Sequence, residues 1–172
     1  GTPSIQGQGK YFIDAGHSTT IYNGEAVKIS SGYVVGGQGS AADIVGVLNG
    51  IFYNDASTLK PTFANFYKAT ITPANSEDTV AFVMDDPFQQ YVVSSDAART
   101  QAQFLATYDM NSSAGSDTTG KSSSTLDTSV TSADGKQFRL IRSAEDPENE
   151  DITAAFFSGI VVSNLNSYNG HN

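Results

Sequence analysis

Ile44-Val-Gly-Val-Leu-Asn-Gly-Ile-Phe-Tyr53 is the longest apolar-rich run of the chain, and its reading decides the fold. It is far short of the ~18 consecutive apolar residues of a membrane-spanning helix, and Gly46, Asn49 and Gly50 break it. Its Val, Ile, Phe and Tyr content reads as a strand, with Asn49-Gly50 marking either a hairpin or a β-bulge inside it. Outward from this run the same pattern repeats. Short stretches rich in Val, Ile, Tyr, Phe and Thr alternate with Gly, Asn, Asp and Ser at Tyr11–Ile13, Thr20–Tyr22, Ala26–Ile29, Tyr33–Val35, Phe66–Ile71, Val80–Met84, Gln90–Val93, Gln137–Arg142 and Gly159–Leu165. Asn23-Gly24 suits a two-residue primed turn between two of them. Turn signals every ~8–12 residues predict an all-β fold, a small barrel or a sandwich, rather than βαβ units.

Helix is scarce. Ala97–Tyr108 carries an alanine- and leucine-lined stripe with Ser95 or Asp96 as N-cap, yet Thr100, Thr107 and Tyr108 suit a strand equally. Asp151 to Phe157 suits one capped turn. Asp85-Asp86-Pro87 and Glu145-Asp146-Pro147 each follow a strand-like run and mark strand exits, because proline cannot donate to a ladder. Residues 111–136 stand apart: 13 of these 26 are Ser or Thr, and only Leu126 and Val130 are sizeable apolar side chains. Such a segment cannot offset its ordering entropy alone. It reads as a flexible loop with a short strand at Thr125–Val130, or as an arm that orders against a partner chain. One β domain over 1–172, with an extended arm at 1–10, is the expected organisation.

The 172 residues carry 9 basic and 18 acidic side chains, a formal charge of −9, with no cysteine and no tryptophan. Disulfides, thiolate metal sites and cysteine nucleophiles are thereby excluded. An acidic chain also lacks the basic footprint that phosphate backbones require, and nothing in it reads as a membrane segment or a signal peptide. Residues 1–68 are balanced, with four acids and four bases; the whole surplus lies beyond them. Glu145 to Asp151 packs five acids into seven residues, a solvated loop or a divalent-cation site.

No catalytic constellation emerges. Asp14, His17 and Ser18 include the residue types of a hydrolytic triad, but triads are assembled in space, so His17 reads as a turn residue. Gly37-Gln-Gly39-Ser-Ala-Ala42 nominally matches a dinucleotide fingerprint; the strand-like residues after it point instead to a glycine-rich loop between strands. Asp85-Asp86 and Glu145-Asp146 are available as paired carboxylates, but neighbours on a strand face opposite ways. The expected protein is not an enzyme and uses no cofactor. Most of its aromatics should be core, while Phe63, Phe66 and Phe88, near loops, are candidate interface anchors.

Tyr22-Asn-Gly-Glu-Ala-Val-Lys-Ile-Ser-Ser-Gly-Tyr-Val-Val35, followed by Ile44 to Asp55, resembles small β-rich head proteins of tailed bacteriophages. Members of that group often carry "G-x-x-V" followed by a glycine-bearing "V-G-V-x-x-G" strand. Ala81-Phe-Val-Met-Asp-Asp-Pro87, Phe138-Arg-Leu-Ile141 and Gly159-Ile-Val-Val-Ser-Asn164 resemble continuations in phage structural proteins, so the similarity runs in order along most of the chain. It implies a capsid decoration, or cement, protein on the virion's outer surface. Such a protein binds the major capsid protein, often as a trimer, and brings no catalytic residues. The Ser/Thr-rich segment departs from a minimal decoration fold. On this expectation the N-terminal arm adds main-chain contacts to the shell, and Ile5, Tyr11, Phe12, Phe63, Phe66 and Phe88 are the candidate partner-binding residues. The neutral first 68 residues should face the shell and the acidic remainder solvent. A receptor- or carbohydrate-binding domain of a fibre or adhesin is the alternative; its polar loops fit, and its lack of tryptophan does not.

Overall fold

Thr79-Val-Ala-Phe-Val-Met84 alternates strictly: Thr79, Ala81 and Val83 are buried, and Val80, Phe82 and Met84 are half-buried on the other side. That period of two makes it the strand β6, around which the first sheet is built. The computed structural model describes residues 7–39, 43–111, 113, 115–127 and 135–168. It is all-β, and among the described residues the only helical pieces are 3-10 turns at Ala74–Ser76 and Gln101–Gln103.

The chain divides into two compact units. The first draws on Gly1–Gly37, Val45–Asp86 and Ala114–Ser123. Its strands are β1 (Gly9–Ile13), β2 (Ala26–Ser30), β3 (Tyr33–Gly36), β4 (Gly46–Asn54), β5 (Pro61–Ala64) and β6 (Thr79–Met84). All pair antiparallel in the order β1-β6-β4-β2-β3, with β5 on the second half of β4. The inner face closes on Ile13, Val27, Val34, Leu48, Ile51 and Val83, with Tyr67 and Ile21 completing the core. The end strands β1 and β3 approach each other, but no ladder joins them among the described residues. The sheet therefore curls without closing into a barrel.

The second unit draws on Gln38–Ile44, Pro87–Ser113 and Ser124–Asn172. Its strands β7 (Gln90–Ser94), β8 (Thr107–Tyr108), β9 (Phe138–Ser143) and β10 (Ser158–Ser163) form an antiparallel sheet ordered β7-β10-β9-β8. Tyr108, Leu126, Phe138, Leu140, Phe157 and Val161 are buried. So is Arg99, only 3% exposed: its guanidinium lies 5.0 Å over the Tyr108 ring and donates to the Asp127 carbonyl at 3.0 Å. Asp96 stands 3.5 Å from it as counter-charge, which a buried cation requires.

Several local expectations change form. Asn49 is a bulge, since Leu48 faces Val83 while Gly50 faces Phe82, leaving Asn49 unmatched. At Asn23-Gly24 the turn is not primed: of the two residues only Gly24 takes positive φ (80°), and the Glu25 N–H closes on the Tyr22 carbonyl at 3.1 Å. The expected strands Thr20–Tyr22 and Phe66–Ile71 reduce to the single bridge Ile21–Tyr67. The helix option at Ala97–Tyr108 yields one 3-10 turn, because Leu105 adopts φ 65° and its N–H goes to Leu140. The glycine-rich loop after β3 leads into β4, a strand and not the helix a dinucleotide site needs; its residues 40–42 lie outside the described residues.

The Ser/Thr-rich segment has specific anchors. In the first unit, Gly115 and Gly120 lie against the Tyr22 and Phe66 rings, so closely that a Cβ at either would overlap them. Asn65 donates to the Thr119 carbonyl at 2.8 Å, and Asn23 bridges Lys121. In the second unit, Leu126 is fully buried and bridges Ser95 and Met110. The expected strand Thr125–Val130 is represented by Leu126; residues 128–130 lie outside the described residues.

Candidate interaction surface

Antiparallel sheets commonly bury one face and leave the other polar. The outer face of the first sheet departs from this. Register places Phe12 opposite Val80, Val80 opposite Phe52, and Phe52 opposite Phe63, so four adjacent strands carry one apolar row on one face. The Phe52 and Phe63 ring centroids are 4.7 Å apart, and Phe63 stacks towards Phe82 at 6.4 Å. Phe82 stands opposite Gly50, which contributes no side chain beside it. Phe63 is 73% exposed and Phe12 44%. The Lys10 ammonium lies 5.6 Å over the Phe12 ring on the same face. A contiguous exposed apolar patch of this kind is characteristic of a docking surface.

The candidate residues separate into different roles. Phe12 and Phe63 are brought together in this row. Tyr11 points to the opposite face, packs on the core and donates its hydroxyl to Asp85 Oδ2 at 2.7 Å. Phe66 is an internal anchor: it stacks on Tyr22 at 5.9 Å and 4° and supports the backbone at Gly120. Phe88 is 80% exposed but belongs to the second unit. Ile5 lies outside the described residues, as does the arm up to residue 6, whereas Gly9 and Lys10 are ladder residues of β1. Phe52, Val80 and Phe82 were not among the sequence candidates. The signal for them is the alternation in β6, which has apolar residues on both faces.

The two units do not follow the linear division of charge at residue 68. The first unit also takes in Glu77, Asp78, Asp85, Asp86 and Asp117. Within it Glu25 is a buried carboxyl whose Oε2 accepts the Tyr22 N–H at 2.9 Å, and burial pushes its pKa up to about 7. Asp14, His17 and Ser18 lie on a local turn: Asp14 Oδ1 accepts the Gly16 N–H at 2.7 Å and the Asp14 carbonyl accepts the His17 N–H at 2.9 Å. Burial lowers the His17 pKa against the opposing pull of Asp14. In the acidic loop Asp146 accepts the Glu148 N–H and Asp151 the Thr153 N–H, so both carboxylates serve turns. Among the described residues no group of three His, Asp or Glu is arranged to hold a metal.

The chain matches no family model, no curated protein and no solved structure.

Proposed function

We propose that the chain is a non-enzymatic virion structural protein that decorates and stabilises the outer surface of a tailed-phage capsid. It binds the major capsid protein as a homo-oligomer, a trimer, with neither nucleic acid nor membrane as partner. The observation that carries this reading is the row Phe12–Val80–Phe52–Phe63, an apolar surface on one sheet face with Phe12 and Phe63 exposed and Val80 and Phe52 half-buried. Aromatic anchors held by strands lose little conformational entropy on docking, which suits permanent reinforcement of a shell. The resemblance of Tyr22–Val35 and Ile44–Asp55 to phage head proteins points the same way.

Electron microscopy of virions, or of undecorated capsids mixed with the purified chain, tests it. Density for the chain at symmetric lattice positions outside the shell is the expected result. Density confined to a tail or fibre tip overturns the proposal in favour of a receptor-binding role.

A further inference from the structure

The apolar row borders a groove of about 330 Å³ on the same unit. Its lining includes Phe12, Phe52, Val80 and Pro73, together with the acidic residues Glu77 and Asp78. Ligand pockets run from roughly 300 to 1,000 Å³, so this one has room for one or two side chains and not for a large cofactor.

The groove's two acids differ. Asp78 is already engaged, accepting the Ala15 N–H at 3.1 Å and a hydrogen bond from the Tyr33 hydroxyl. Glu77 is exposed, and its carboxylate makes no hydrogen bond or ion pair among the described residues. The turn that presents it is strained: Asn75 and Ser76 occupy the left-handed region consecutively, at φ 55° and 54°. No base lines the groove. The Lys10 ammonium already lies over the Phe12 ring, which leaves Glu77 as the partner for an incoming cation.

We infer that this groove binds the lysine side chain of a partner protein, with the methylene stem on Phe12, Phe52 and Val80 and the ammonium at Glu77. Charge complementarity selects the occupant: an apolar floor ending in an unpaired carboxylate fits a long aliphatic stem that ends in a cation. The inference holds whichever assembly presents that lysine, so it stands apart from the capsid proposal.

The test is an NMR titration of the full chain with Nα-acetyl-lysine N-methylamide and with its norleucine counterpart, which has an aliphatic side chain and no ammonium. The lysine probe should shift the amides of Phe12, Phe52, Glu77 and Val80, with about threefold stronger binding than norleucine, the contribution of an exposed ion pair. Glu77→Gln should abolish that preference while keeping the norleucine response, and Phe12→Ala should weaken both probes. Equal binding of the two probes, shifts elsewhere on the chain, or an unchanged preference in Glu77→Gln each overturn the inference. Lysine binding by a chain that leaves capsids bare would remove the decoration reading and keep this one.

Discussion

Phe52 and Phe63 stand directly opposite each other on β4 and β5, with ring centroids 4.7 Å apart and planes at 47°. A pair this close normally belongs to a core, yet Phe63 is 73% exposed. The contact holds Phe63 in place without burying it, as a preorganised anchor requires.

The pair should therefore couple weakly and carry little stability. Phe63→Ala should lower unfolding free energy by less than about 1 kcal/mol, because most of the ring is already in water. A double-mutant cycle with Phe52→Ala should return a coupling of about 0.5 kcal/mol, the low end of the range for aromatic pairs. Urea unfolding of the four proteins measures both. A loss of several kcal/mol for Phe63→Ala would mean that the ring serves the fold and not a partner.

Glu25 should make the protein more stable in mild acid. Its folded pKa, about 7, lies above the ordinary 4.5, so the folded state holds the proton more tightly. The resulting stability is fully present below about pH 4.5 and is lost as pH rises through 7, in total about 3 kcal/mol. Glu25→Gln, which keeps an acceptor for the Tyr22 N–H, should match the parent near pH 4 and exceed it by about 2–3 kcal/mol at pH 8. Urea unfolding at the two pH values decides. Equal stabilities at pH 8 would show that the carboxylate is solvated when charged.

Gly120 should not tolerate a side chain. It takes φ 71°, and a Cβ there would overlap Phe66 and Asn65. Gly120→Ala should cost about 1–3 kcal/mol through strain and overpacking, and should expose the neighbouring segment to protease. Unaltered stability and cleavage would mean that the Tyr22–Phe66 stack does not hold this segment.

Leu126 is the strongest test of the Ser/Thr-rich segment as part of the fold. It is fully buried between Ser95 and Met110, so Leu126→Ala should cost about 2–5 kcal/mol. A change below about 0.5 kcal/mol in equilibrium unfolding would return the segment to the status of a loose loop.

These residues also show what the sequence discloses. β2, β3, β6, β7 and β9 are legible because hydrophobic alternation and turn residues act locally. β5 is not: it opens on Pro61, and its four residues gain their place only by pairing with β4. β8, two residues long, is too short for periodicity to show, although Thr107 and Tyr108 each suit a strand. The burial of Leu126 is hidden because a single apolar residue in a polar stretch shows neither its partners nor its depth. The site is partly legible. Loop proximity picks out Phe63, but it also picks out Phe66, whose ring is taken up by Tyr22 and Gly120. Strand register, a long-range property, is what joins Phe12 to Phe63 through Val80 and Phe52.

On the proposed function, this aromatic row is the surface by which the chain holds a capsid. The most direct measurement is co-sedimentation of undecorated capsids with the parent chain and with the Phe12→Ala/Phe63→Ala double variant, after unfolding curves have shown the variant folded. Truncating two interface anchors should weaken binding by at least about 2 kcal/mol, roughly a thirtyfold loss of affinity. Equal occupancy by the two proteins would mean that the row is not the capsid-binding surface.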